Sequence, residues 1–163
     1  MGLVPFTRPG HHGRMLLPVI AVVAALGTGT LLGFSTLVMP SLGRLPAGEA
    51  VAAMQEINRR ATAPPFALVL LSTVAAGVGA IVLGILDGEP LALAGGVVLL
   101  VGIVGVTGAL NVPRNEWLER LGPNPDDPAA AWRRFRGVWV VANHVRTLLG
   151  AVGALLIALA VAL

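Results

Sequence analysis

Residues 132–147, WRRFRGVWVVANHVRT, decide the fold, because they run from a basic segment straight into an apolar one that continues to Leu163. Within the apolar part lie an Asn, a His, an Arg and a Thr, at positions 143, 144, 146 and 147. An Arg at the centre of a membrane helix costs about 3 kcal/mol, so polar residues at this depth usually face a bundle interior and mark a site. The segment predicts a transmembrane helix with a functional face.

The composition of the whole chain agrees with a membrane protein. Hydrophobic residues make up 56% of the 163 residues and charged residues only 12%, which is too apolar for a soluble domain of this size. The absence of cysteine excludes disulfides and thiolate metal ligands. The net charge is only +3 and no long basic tract occurs, so nucleic acid is not an expected partner.

Four apolar runs are each long enough to cross a hydrocarbon core of about 30 Å. They lie at residues 16–39, 66–86, 91–110 and 138–163. The short polar turn at residues 87–90 forces the second and third spans to run antiparallel. Pro40 and Pro113 are expected to end the first and third spans. Gly29 and Gly33 form a small-xxx-small pair that favours close approach of another helix. Glycines on the third span predict the same tight backbone packing for that helix.

Two further helical features complete the predicted fold. Residues 46–61 carry apolar side chains at helical spacing and charges on the other faces, which predicts a short amphipathic helix at the membrane interface. Asp127 is a good N-cap with Pro128 in the first helical position, so the last helix should run from there to Leu163 and extend out of the bilayer. The fold class is therefore all-α, a bundle of four transmembrane helices in a single domain over residues 16–163.

The segment before the first span, residues 1–15, is rich in Gly and Pro and reads as a disordered tail. Its His11 and His12 are adjacent and lack further ligands, which favours solvated side chains over a metal site. Arginines are concentrated in the first and third loops. The positive-inside rule then places those two loops in the cytoplasm and both termini outside.

One face of the fourth span collects polar and aromatic side chains. At about 100° per residue, those within about 60° of Asn143 are Trp132, Arg136, Trp139, Val140, Arg146 and Thr147, with His144 about 100° away. Asn111 and Asn115 at the end of the third span, and Asn58 near the end of the amphipathic helix, are expected to lie on the same side of the membrane. Taken singly, the tryptophans could be interfacial anchors and the two third-span asparagines could be helix caps. Because three separate segments bring polar side chains to the same side of the membrane, a shared functional site at that end of the bundle is favoured.

Four short segments carry a further pattern: FSTLVMP at 34–40, AMQEINR at 53–59, NVPRN at 111–115 and WVVANHVRT at 139–147. Together, and in this order between four spans, they resemble the anthrone-oxygenase-like membrane proteins over residues 16–163. The resemblance implies a four-helix integral membrane fold. For some members it also implies oxidation of polyphenolic anthrones to anthraquinones by O2, without a metal or flavin.

These residues give a chemical hypothesis for a hydrophobic aromatic substrate, with no cofactor. An anthrone is a carbon acid, which means that one of its C–H groups can lose a proton. Neutral His144 would remove this proton, and Arg146 would stabilise the anion that forms. The other expected contacts are amides on substrate oxygens, from Asn58, Asn111, Asn115 and Asn143, and indoles stacked on a flat ring, from Trp132 and Trp139.

Two other interpretations remain open. The chain could be a non-catalytic membrane module that binds a lipid or hydrophobic small molecule, or assists a partner protein. Glycine-lined helices and a positively charged entrance to the bundle suit such a module equally well. His144 could also be an axial haem ligand, although no second span histidine lies opposite it.

Overall fold

The computed structural model describes residues 11–163, apart from the side chains at 11, 12 and 14. The described chain is helical throughout, with short connections. The elements are α1 (His11–Gly33), the π-helical segment π1 (Phe34–Val38), α2 (Met39–Leu42), α3 (Ala47–Ala61), α4 (Phe66–Leu86), α5 (Pro90–Leu100), the π-helical segment π2 (Val101–Asn111), α6 (Val112–Arg120) and α7 (Pro128–Ala162).

Four of the described helices are long and apolar enough to cross a membrane. They are Met15–Leu42, Phe66–Leu86, Pro90–Arg120 and Pro128–Ala162. The fourth span packs against the first and the third, and the second packs against the same two, so the four close into a ring. The predicted four-span bundle, with an amphipathic helix after the first span and a long fourth helix, is confirmed.

The first and third spans do not end at their prolines as expected. α1 continues through π1 and Pro40 to Leu42, and α5 continues through π2 and Pro113 to Arg120. In an α-helix a proline lacks its N–H donor, and its ring clashes with the carbonyl oxygen four residues earlier. Here each proline follows a π-helical segment, whose wider turns bond each N–H to the carbonyl five residues back and relieve that clash.

The last helix begins as predicted. The Asp127 side chain accepts a hydrogen bond from the Ala130 N–H at 2.9 Å, and Pro128 occupies the first turn. The 35 residues of α7 give a length of about 52 Å, so the helix extends beyond a hydrocarbon core of about 30 Å.

The amphipathic helix α3 is held by protein contacts, and its apolar face does not lie open to lipid. Val51 and Met54 are fully buried in a cluster with Leu118 and Phe135, at the end of the bundle. The buried Gln55 amide donates two hydrogen bonds of 2.9 Å, to the carbonyl oxygens of Leu118 and Gly122. α3 thus forms a cap over one end of the four spans.

Small residues set the distance between spans in the bundle core. A Cβ on Gly95 would lie 2.7 Å from the carbonyl oxygen of Gly153, so the third and fourth spans touch through their backbones there. Gly29 and Gly33, in contrast, have no atom near an added Cβ, so the predicted close approach at that pair does not occur within this chain.

The first helix starts earlier than expected. It begins at His11, so residues 11–15 belong to α1 and not to a tail. The helix is held there because Gly13 packs directly against the side chains of Leu83 and Asp87 at the end of α4. The rest of the expected tail and the side chains of His11 and His12 lie outside the described residues.

Candidate functional site

A cavity of about 460 Å³ lies under α3, between the ends of all four spans. Most of its exposed wall is apolar, although about half of the lining residues carry a polar group, and a largely apolar wall with polar groups is typical of small-molecule sites. The lining residues are Leu31, Phe34, Met54, Ile57, Asn58, Arg59, Ala61, Thr62, Phe66, Leu70, Thr107, Asn111, Val112, Asn115, Glu116, Glu119, Trp139 and Arg146.

Arg146 is the cation of this cavity that lies within a membrane span. Its side chain is only 6% exposed, and no described carboxylate forms an ion pair with it. Nη1 donates a hydrogen bond of 3.1 Å to Thr107 Oγ1, and Nη2 donates to Asn143 Oδ1. The guanidinium carbon lies 5.6 Å from the ring centroid of Trp139. A buried, unpaired guanidinium next to a cavity is suited to an anionic ligand.

Asn143 is fully buried and lies behind Arg146, outside the cavity lining. Its Nδ2 donates to the Leu31 carbonyl oxygen at 2.9 Å and to Ser35 Oγ at 2.7 Å, both on the first span. Its Oδ1 accepts from Arg146. Every strong hydrogen-bonding group of the amide is therefore used within the protein, and the expected contact of Asn143 with a substrate is not supported.

The two π-helical segments supply residues to this site. Thr107 and Asn111 lie on π2, and Phe34 and Ser35 lie on π1. Because a π-turn inserts one extra residue, it rotates the side chains that follow relative to a regular helix, and such turns are frequent at functional sites. Ser35 and Thr107 were not among the predicted site residues, although Thr107 is a lone hydroxyl within an apolar span and Ser35 lies in the segment FSTLVMP.

Unpartnered polar atoms are concentrated at the cavity. Among the described residues, five buried side-chain atoms have no hydrogen-bond partner. Three of them belong to cavity-lining residues: Asn58 Nδ2, Asn111 Oδ1 and Arg146 Nε. Leaving such groups unpaired costs about 1–3 kcal/mol each, which is explained if a ligand supplies their partners.

Aromatic rings form one wall of the cavity. The ring centroid of Phe34 lies 5.8 Å from that of Trp139 and 5.9 Å from that of Phe66. Trp139 Nε1 donates to Asn115 Oδ1 at 2.8 Å, which fixes the indole and occupies that oxygen. Trp139 and Asn115 therefore line the cavity together with Asn58 and Asn111, and their contact with a substrate stays a prediction.

The mouth of the cavity carries an exposed charge network. Arg59 Nη1 lies 2.8 Å from Glu119 Oε1 and thereby ties α3 to α6. The pKa of the Glu56 carboxyl is lowered, because first Arg60 and then Arg59 donate hydrogen bonds to it. The pKa of Arg59 is raised by its hydrogen bonds to Glu119 and then Glu56. This network adds an exposed link between the cap and α6 to the buried contacts of α3.

Two predicted site residues lie elsewhere. His144 is exposed on the outer surface of α7 and does not line the cavity, because it is turned about 100° away from Asn143. Trp132 is buried outside the cavity, about two turns of α7 before Trp139, where its ring stacks on Phe135 with the centroids 5.8 Å apart. The proposed roles of His144 as base and Trp132 as stacking platform are not supported by this arrangement.

No group of three or more His, Cys, Asp or Glu side chains that could hold a metal ion occurs among residues 11–163 with described side chains. No curated protein and no solved structure matches the chain. The family model described as anthrone oxygenase matches residues 52–156, from α3 into the last turns of α7. This match covers well over half of the chain and every cavity wall except the first span. The chain therefore belongs to the anthrone oxygenase family.

Proposed function

We propose that this membrane protein binds a planar, oxygenated aromatic molecule in the cavity and oxidises it with O2, without a metal or organic cofactor. The observation that carries the proposal is Arg146, a buried cation that has no anionic partner in the described part of the chain and that lines the cavity. Ionisable residues within a span are costly and usually functional. The unpartnered atoms of Asn58 and Asn111 add a donor and an acceptor for substrate oxygens.

An anthrone is a suitable substrate class because its methylene group is a carbon acid. Loss of one proton gives an anion delocalised onto oxygen, and this anion transfers electrons to O2 directly. One oxygen atom becomes the new carbonyl oxygen and the other leaves as water, so anthrone and O2 give anthraquinone and water. The four electrons lost by the methylene carbon are the four that O2 gains.

The roles of the side chains follow from their positions. Arg146 stabilises the oxygen that becomes negatively charged, by a charge-assisted hydrogen bond from Nε. Trp139 and its neighbouring rings contact the flat face of the substrate. The carboxylates that line the cavity are Glu116 and Glu119. Glu119 lies 2.8 Å from Arg59, whereas Glu116 forms only a longer ion pair, 3.8 Å from Arg120, so Glu116 replaces His144 as the proposed proton acceptor.

The test uses purified protein in lipid nanodiscs with anthrone as the probe, following O2 uptake and anthraquinone formation. Ala61→Phe places a ring in the cavity and should abolish turnover, whereas Ala52→Phe, on an exposed face of the same helix, should leave it unchanged. Saturable anthrone binding without O2 uptake would instead identify a non-catalytic binding module. Absence of both would reject the proposal.

We also infer that the cavity opens toward the cytoplasm, because the first and third loops, which flank it, carry most of the arginines. The chain has no cysteine, so single cysteines report sidedness cleanly. In intact cells a membrane-impermeant maleimide should label Leu163→Cys and not Asp126→Cys. The reverse pattern would invert the orientation.

A further inference from the structure

The amide of Asn143 links the first span to the guanidinium of Arg146. Its N–H groups bind Leu31 and Ser35, and its oxygen accepts from Arg146 Nη2. We propose that Asn143, anchored by Ser35, is a positioning residue that fixes the Arg146 guanidinium for the substrate anion. This inference rests on the proposed function and assigns Asn143 no contact with the substrate.

Both ends of the guanidinium are held from separate helices. Thr107 on π2 accepts from Nη1, while Ser35 on π1 acts through Asn143 on Nη2. Nε is left as the buried donor without a partner. A long Arg side chain loses much rotamer freedom when it is ordered, so holding both ends in advance lowers the cost of binding an anion at Nε.

Asn143 could instead serve only to join the first and fourth spans. Its bond to the Leu31 carbonyl oxygen would then be the important one, and Arg146 would be incidental. The two roles differ in one measurable respect. A positioning role acts on the bound anion only while Arg146 is present, whereas a packing role is independent of Arg146.

The experiment uses alizarin, a planar hydroxyanthraquinone whose colour changes when a hydroxyl group ionises. In nanodiscs, quenching of tryptophan emission reports its binding, and a pH titration of its absorption gives the ionisation midpoint of the bound dye. A cation beside the hydroxyl should lower this midpoint by about one pH unit or more in the wild-type protein.

Four variants separate the two roles. Arg146→Gln should return the midpoint toward that of a dye with no cation beside it. Asn143→Leu should remove a large part of the shift, and Ser35→Ala a smaller part while disturbing the fold less. Thr36→Ala is the matched control, because Thr36 is the next residue of π1 and its hydroxyl bonds to Leu32 O, away from Arg146.

The decisive comparison is Asn143→Leu in the Arg146→Gln background. No further change of the midpoint is expected there. A full additional change would overturn the inference, as would a wild-type midpoint retained in both Asn143→Leu and Ser35→Ala. A wild-type protein that shifts the dye but does not oxidise anthrone would reject only the oxygenase proposal. If alizarin binds with no shift at all, the anion site and the positioning role both fail.

Discussion

Replacement of Arg146 by glutamine is the most informative single change. Glutamine keeps hydrogen-bonding groups on an unbranched side chain but removes the charge. At an effective dielectric constant of about 20, a guanidinium about 3.5 Å from an anionic oxygen contributes at most about 5 kcal/mol. Loss of one such donor in other enzymes costs about 3–4 kcal/mol, so kcat for anthrone oxidation should fall about 100-fold or more.

The same change should leave the fold intact. Arg146 is only 6% exposed and no carboxylate of the described residues pairs with it, and a membrane helix gains by losing such a charge. We therefore expect the thermal midpoint in nanodiscs to stay the same or rise, while activity falls. Arg133→Gln is the matched control, because Arg133 is an exposed arginine on the same helix. Wild-type kcat in a folded Arg146→Gln protein would refute the anion site, and unfolding of that variant would assign Arg146 a structural role.

Three further predictions concern residues around the site. His144→Ala should retain anthrone turnover within about 2-fold, because the imidazole lies on the outer surface, and loss of O2 uptake would return His144 to the mechanism. Trp139→Phe should remove most of the quenching of tryptophan emission by alizarin and Trp132→Phe should not, because Trp139 lines the cavity and Trp132 does not. Equal quenching in the two variants would place the ligand elsewhere. The lowered pKa of Glu56 means that its pairing with Arg60 stabilises the fold above the ordinary carboxyl pKa of 4.5, and that this stability is lost as the pH falls through the lowered value. Thermal midpoints measured against pH should therefore decline in that acidic window, and less so in Glu56→Gln.

The spans and the start of the last helix could be predicted from local sequence. Hydrophobic length defines a membrane helix because every backbone polar group in lipid must bond within its own segment. Asp127 and Pro128 act within one helical turn, so their effect on α7 also needs no tertiary information. The prediction that Pro40 and Pro113 end their spans was wrong because it assumed regular α-helical geometry, whereas each proline follows a π-helical segment, π1 or π2.

The site was only partly predictable. Five of the residues singled out from the periodicity and the loop positions line one cavity: Asn58, Asn111, Asn115, Trp139 and Arg146. Trp132, Asn143 and His144 do not line the cavity. A helical wheel gives the angles between side chains on one helix, but it does not show which of them face the neighbouring helices.

What the sequence alone determined is a bundle of four membrane helices with costly polar groups near the start of the last one. Only the tertiary structure decided which of those polar groups line the same cavity. The Asn143–Leu31 hydrogen bond, for example, joins positions 112 residues apart and is one of the contacts that set how α7 is rotated against the first span. That rotation depends on packing among all four helices, and it turns Arg146 inward while His144 faces out.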